Sequence, residues 1–347
     1  MQQHTPRTTP RMTVAGVVAV TTILSFGLLG TASAASSSDT AGDPTQECTV
    51  SPVNPSATQQ VRDVLCYLHE QYGNHILAGQ EESTWNGGPE YEMDYISDNT
   101  GKLPAIRGMD QATTDYVGRA IDWWNAGGLP EVAYHMGAPT HPDTYEGSQM
   151  WVSIDAVLTA GTAENASFLE RLDATAANLQ LLEDAGAAVI FRPFHEAGGT
   201  WFWWSKEGGP RYQRLWQYTY DYLTNTKGLN NLIWMFGMNG EPQSDFYPGR
   251  DYVDIAGADT YAGNQNYDPQ HTLYTAARDA VGGQLPVALH ENGPIPDPDQ
   301  LQSTGTDWLW FNTWNSQHLT DGNSVDHLRK VYDHDYVITR DELPDFG

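Results

Sequence analysis

Ala187-Ala188-Val189-Ile190-Phe191-Arg192-Pro193-Phe194-His195-Glu196 decides the architecture. It begins as a continuous apolar run and ends on a histidine and a glutamate. Ahead of it, Ser167–Ala185 carries apolar residues at helical spacing and stops at Gly186. Glycine readily takes the left-handed conformation that closes a helix. An amphipathic helix, a glycine and a short apolar run together read as a helix feeding a strand that is buried on both faces. That is the strand type of parallel α/β sheets.

Outward from this stretch the same unit recurs. The strand candidates are His75–Gln80, Leu103–Asp110, Leu129–Gly137, Ala187–Glu196, Asn231–Asn239, Val253–Tyr261, Pro286–Gly293 and Trp308–Asn315. Helical patterns such as Tyr212–Thr224 lie between them, and Gly127-Gly128, Gly228 and Gly282-Gly283 stand where helices should close. Eight strands alternating with helices predict an α/β fold, a single closed (β/α)8 (TIM) barrel. A doubly wound open sheet is the structural alternative, but no glycine-rich phosphate loop follows the first strand.

Each strand candidate ends on groups with chemical potential: Gln80-Glu81, Asp110, His135, His195-Glu196, Asn239, Asp259 with Tyr261, Glu291 and Trp314. In a (β/α)8 barrel these C-terminal ends converge on one mouth, where active sites are built. Glu196 on strand 4 and Glu291 on strand 7 should face each other across it. Two facing carboxyls suit glycosidic bond hydrolysis, one protonating the leaving oxygen while the other attacks or activates water. His195-Glu196 is not a zinc-protease helix, because Ala197-Gly198-Gly199-Thr200 lacks the second histidine of H-E-x-x-H. A zinc site from His135, His195 and a carboxylate is the remaining metal alternative, with no ligand spacing to support it.

Trp201-Phe202-Trp203-Trp204 directly follows the strand 4 glutamate. Indole rings pack on the apolar C–H faces of sugars, so a sugar cleft is aromatic-lined. Trp201 and Trp314, beside the carboxylates, are expected to touch ligand. Trp123, Trp124 and Trp310 are expected to pack helices on the barrel, and at least one of Trp203 and Trp204 should be buried.

The N-terminus reads separately. Arg7 and Arg11, the apolar run Val14–Gly30 and the small-residue pattern Ala32-Ser33-Ala34 describe a secretory signal peptide, residues 1–34. The run is short for a membrane span of about 20 residues. Residues 35–47 read as a disordered spacer, and 48–347 as one catalytic domain. Export makes a Cys48–Cys66 disulfide the expected state. The chain's formal charge is −27. Removing the leader's two arginines brings it near −29. Such a surface repels nucleic acid, anionic lipid and acidic polysaccharide, and suits a secreted monomer with a neutral substrate.

Phe191–Glu196 with Trp201–Trp204, the segments Asp245–Gly249 and Tyr252–Ile255, Asp259 with Tyr261, Pro286–Pro294, and the closing Asp335–Thr339 and Asp341–Pro344 resemble glycoside hydrolase family 26. The family is best known for β-mannanases, and the resemblance covers nearly all of 48–347. It implies that Glu196 is the general acid/base and Glu291 the nucleophile. It implies that His135, His195, Trp201, Tyr261 and Trp314 surround the sugar, with Tyr261 hydrogen-bonding the nucleophile. Arg192 and Asp259 would support the carboxylates. The implied substrate is a neutral β-linked plant polysaccharide, foremost mannan, glucomannan or galactomannan. Mixed-linkage β-1,3-1,4-glucan and β-1,3-xylan are the alternatives with the same fold, and a non-catalytic carbohydrate-binding barrel the alternative of another class. Two carboxylates suffice for the chemistry, so no cofactor is expected. The sequence departs from the resemblance at His290, where many relatives carry Thr or Ser, and at Ala197-Gly198, where many carry Met-Asn.

Overall fold

The computed structural model describes residues 48–347, so the signal peptide and spacer expected at 1–47 lie outside the described residues. Eight parallel strands form the barrel: β1 (Ile76–Glu81), β2 (Ile106–Asp110), β3 (Leu129–Ala133), β4 (Val189–Arg192), β5 (Leu232–Met238), β6 (Ile255–Thr260), β7 (Val287–Asn292) and β8 (Trp310–Thr313). Each pairs with its neighbour in chain order, and β1 pairs with both β2 and β8, which closes the ring. α-Helices separate the strands except between β5 and β6, where only the 3-10 turns Ser244–Phe246 and Arg250–Tyr252 intervene; Ala163–Asp184 between β3 and β4 is the longest helix. Its N-cap Thr162 accepts from Asn165 N, satisfying an amide that the first turn would leave unpaired. Gly127, Gly186, Gly228 and Gly282 all take positive φ, as their places after helices require.

Several strands are shorter than their sequence outlines: β3 ends at Ala133 and not at Gly137, β8 spans only Trp310–Thr313, and β2 and β4 differ for identifiable reasons. β2 starts at Ile106 and not at Leu103, because the chain end takes its place. A short ninth strand, β9 (Val337–Ile338), runs parallel to the first residues of β1, and Pro104 bridges Thr339 while Arg340 N donates to Leu103 O at 3.0 Å. β4 stops at Arg192 and not at Glu196. Pro193 has no N–H for the ladder, and Phe194 and Glu196 adopt left-handed φ of 49° and 55°.

The tryptophans expected to pack are buried: Trp123, Trp124 and Trp310, and both Trp203 and Trp204. Trp203 Nε1 donates to Met136 O at 3.0 Å and Trp204 Nε1 to His195 O at 2.8 Å, so the two indoles brace the ends of β3 and β4. Cys48 and Cys66 form the expected disulfide, which ties the segment before the first helix (Gln59–Gln71) to that helix.

The bridge encloses a separation of 18 residues. Loop-closure entropy for such a loop is worth about 3 kcal/mol at most. Cys66→Ala is therefore expected to lower Tm by several degrees in scanning calorimetry, with kcat unchanged at 25 °C, since the bridge lies outside the barrel mouth.

Candidate active site

The site starts with a cation in the middle of the barrel. Arg192, the last residue of β4, has no exposed surface. A buried guanidinium must find anions for its donors. Its Nε donates to Glu131 on β3, its Nη2 to Glu81 at the end of β1 (2.6 Å), and its Nη1 to Glu291 Oε2 on β7 (3.0 Å). Asn312 on β8 donates Nδ2 to both Glu81 (3.1 Å) and Glu131 (3.2 Å). One positive charge thus faces three carboxylates. Burial pushes Glu81 well above and Glu131 above the ordinary carboxylate range, with Arg192 opposing in each case. Glu291 moves the other way. Burial alone would raise it, but the Arg192 charge, His290 and the Tyr261 hydroxyl together hold it below its ordinary value. The Tyr261 hydroxyl donates to Glu291 Oε1 at 2.6 Å.

His290 completes this support. Its Nε2 lies 2.9 Å from the Met238 carbonyl, which only an N–H can satisfy. Its Nδ1 therefore presents a lone pair, 3.2 Å from Arg192 Nη1. Burial and the neighbouring guanidinium lower its pKa to about 4, so it is a neutral acceptor. The ring fits because residue 237 is glycine; a Cβ there would meet His290 Nε2 at 2.9 Å.

Glu196 stands across the mouth. Its backbone is locked in the left-handed region by Ala197 N donating to Gly237 O (2.9 Å) and Gly199 N to Glu196 O (2.9 Å). Such strain costs on the order of 1–3 kcal/mol and persists only where the surroundings enforce it. Trp201 Nε1 donates to Glu196 Oε2. That contact needs the ring to lie on Gly199, where a Cβ would meet it at 2.5 Å. Asp259, at the end of β6 beside a register shift, hydrogen-bonds Glu196. Burial, then the Glu291 charge, raises Glu196; burial, then Glu196 itself, raises Asp259 well above its ordinary value. The two carboxyls thus share a proton. Oxygens of Glu196, Asp259 and Glu291 all lie within 4.8 Å of one another.

The remaining predicted residues form a wall. His135 Nδ1 is hydrogen-bonded to Asp110, and its ring lies 6.1 Å from that of half-buried Trp314. Burial opposes charge on His135, but Asp110 prevails and raises its pKa. His195 Nε2 meets His135 Nε2 at 3.1 Å. His195 is almost wholly buried, stays neutral because burial and then the His135 charge depress it, and leaves Nδ1 without a protein partner among the described residues. Trp201 and Tyr261 are 40% and 44% exposed, so their faces are open to a ligand.

This arrangement can be compared with known proteins. Residues 53–342 match glycosyl hydrolase family 26. The chain belongs to that family. It is 35% identical over 315 residues to a mannan endo-1,4-beta-mannosidase of Thermothelomyces thermophilus, covering 84% of this chain but only 62% of that protein. It is 32% identical over 348 residues to a mannan endo-1,4-beta-mannosidase of Bacillus subtilis, covering 87% of this chain and 92% of the other. Among solved structures it is similar to a Podospora anserina GH26-CBM35 beta-(1,4)-mannanase, with TM-score 0.78, 34% identity, and 88% and 71% of the two chains covered.

In this family 26 chain the sequence reading did not single out Glu131 or Asn312. Both interrupt apolar strands, LPEVA and WFNT, and a charge inside an apolar strand signals a buried partner. The pairing of Asp110 with His135 and of Glu81 with Arg192 also needed coordinates. The carboxylates of Glu196, Asp259 and Glu291 are close enough to face one cation. Their donors argue for another use: Glu291 accepts from Arg192 and Tyr261, and Glu196 from Trp201.

The proton shared by Glu196 and Asp259 predicts a pH effect. A nucleophilic Glu291 must be ionised, so the acid limb of kcat/KM should lie below the ordinary glutamate value of about 4.3. The acid must be protonated, and its raised pKa places the basic limb above that value. Asp259, raised well above its ordinary value, keeps its proton and donates it, which lowers the Glu196 pKa. Asp259→Ala removes that donor, so the basic limb should move to higher pH while the acid limb stays; a basic limb that does not move contradicts the shared proton.

Proposed function

We propose that this chain is a retaining endo-β-1,4-mannanase that cleaves mannan, glucomannan or galactomannan by double displacement. The observation that carries the mechanism is the approach of the Glu196 and Glu291 carboxylates to within 4.8 Å. Inverting glycosidases hold their carboxyls roughly 6.5–9.5 Å apart to admit a water, retaining ones about 5–5.5 Å. The opposite displacement of the two pKa values supports the division of labour.

In the first step Glu291 attacks the anomeric carbon and Glu196 delivers its proton to the departing glycosidic oxygen. A glycosyl ester on Glu291 results. Glu196, now a carboxylate, takes a proton from water; the hydroxide equivalent attacks the same carbon and Glu291 leaves. Each step consumes what the other regenerates, and water is the only co-reactant. Tyr261 and Arg192 stabilise the departing Glu291 carboxylate through the bonds they already make. The mannan reading is supported by the names of the family 26 relatives, and a neutral substrate by the chain's charge of −27. Export is part of the proposal, supported by the leader pattern before Ala35 and by the Cys48–Cys66 bridge.

The test takes protein from culture fluid, where Ala35 is the expected N-terminus. It measures reducing-sugar release from glucomannan, galactomannan, barley β-glucan and β-1,3-xylan side by side. Release from the two mannans, surviving a chelator, is expected. Release from β-glucan or β-1,3-xylan alone overturns the substrate and keeps the mechanism. Silence on all four points to a binding barrel.

A further inference from the structure

β7 carries one residue more than its neighbours can pair. Ala258 pairs with Leu289 but Asp259 with Glu291, and on the other edge Leu289 pairs with Phe311 but Asn292 with Thr313. Both neighbours step past His290, so it is a β-bulge seen from either side. A regular strand sends successive side chains to opposite faces. A bulge re-aims one of them. Here His290 and Glu291, consecutive in the chain, both reach Arg192 Nη1, His290 through Nδ1 at 3.2 Å and Glu291 through Oε2 at 3.0 Å.

The guanidinium is pulled two ways. Its Nε and Nη2 donate to Glu131 on β3 and Glu81 on β1. On the β7 side Nη1 has two hydrogens, one for Glu291 and one for His290. Without an acceptor in the second place a buried N–H stands unpaired, and the fork gains by tilting away from Glu291. Arg192 is the one cation hydrogen-bonded to Glu291 among the described residues. The carboxyls of Glu81, Glu131, Glu196 and Asp259 also face Glu291, with the Tyr261 hydroxyl and the His135 and His318 rings. With four carboxyls around it, the state of Glu291 depends on the aim of that guanidinium.

The ring has its own anchor. His290 Nε2 donates to Met238 O at 2.9 Å on β5, and a Cβ on the neighbouring Gly237 would meet Nε2 and Cε1 at 2.9 Å each. The same stretch of β5 serves the other carboxyl: Gly237 O accepts from Ala197 N, the amide that follows Glu196, at 2.9 Å. The imidazole therefore spans from the strand of Glu291 to the backbone on which Glu196 is set. We propose that His290 is a positioning residue for the reaction: bulged inward on β7 and anchored on Met238, it keeps Arg192 aimed at Glu291. Gly237 belongs to the same device, because it leaves the ring its place. The proposal rests on the glycoside hydrolase reading of Glu291.

The test reads Glu291 in the free enzyme and needs no substrate. Protein labelled with glutamate carrying 13C at Cδ is titrated by NMR, and Glu291 is assigned by the signal lost in Glu291→Gln. His290→Leu removes the acceptor, and the Glu291 titration should move up by about one pH unit, the equivalent of one hydrogen bond to a charged group. His290→Asn puts an amide oxygen where Nδ1 stood and should keep Glu291 near its wild-type value. Gly237→Ala, whose Cβ would meet the His290 ring first, should act like His290→Leu, and should add nothing in the His290→Asn background. If His290→Leu does not fold, Gly237→Ala carries the same prediction. On mannan the acid limb of kcat/KM should follow, moving to higher pH in His290→Leu and staying in His290→Asn. A Glu291 titration that stays put in His290→Leu, or that moves alike in the Leu and Asn variants, overturns the positioning role and leaves His290 as a space-filler. If wild type cleaves no mannan, the proposed function fails, and the Glu291 titration still decides the place of His290.

Discussion

A single guanidinium sits where three carboxylates converge, and the rest of the mouth is arranged around that excess of negative charge. Arg192 offers donors in a rigid fork, and four neighbours use them: Glu131, Glu81, Glu291 and His290. A lysine would bring the charge without the geometry. Three ionised carboxylates cannot all be neutralised by one cation out of water, so burial drives Glu81 and Glu131 toward the protonated form. Glu291 escapes because it has the Arg192 charge at 3.0 Å and a further donor, the Tyr261 hydroxyl. Breaking such a network by removing one partner costs about 3–5 kcal/mol, which is why its members come from five different strands of a closed barrel.

The opposite wall solves the converse problem. Glu196 must keep a proton that an isolated glutamate would lose. Burial and then the Glu291 charge achieve this, while the hydrogen bond from Asp259 works the other way. The backbone contributes too: left-handed φ at Phe194 and Glu196 ends β4 and lifts the carboxyl into the mouth, with Trp203 and Trp204 buried behind it as a brace. One strand therefore leads to both Arg192, which holds the proposed nucleophile Glu291 ionised, and, four residues on, Glu196, the proposed acid.

Much of this was legible in residue order. Alternating apolar runs and helical stretches gave the barrel, because a parallel strand buried on both faces has no other way to be written. The strand ends gave Glu196, Glu291, Asp259, Tyr261, His135 and Trp314, because barrel topology brings such ends together whatever the loops do. Arg192 was legible as a support, but its three-way pairing was not, since that depends on which side chains of Glu81, Glu131 and Glu291 point to one axis. Strand ends were over-read at β4, where the positive φ of Phe194 and Glu196 has no compositional mark. The late start of β2 was hidden because the residues that meet Leu103 and Pro104, Thr339 and Arg340 just after β9, lie more than two hundred residues away in the chain. His195 could be placed beside the acid by sequence alone, yet only its contact with His135 shows how deeply it is buried.

The most direct measurement is covalent trapping. A 2-deoxy-2-fluoro glycoside with a good leaving group slows breakdown of a glycosyl-enzyme more than its formation, and intact-mass and peptide analysis then locate the sugar. The account predicts one label per chain, on the peptide that contains Glu291, and release of that label on incubation with acceptor sugar. A label on Glu196 or Asp259, or turnover of natural substrate to a product of inverted configuration, would contradict it.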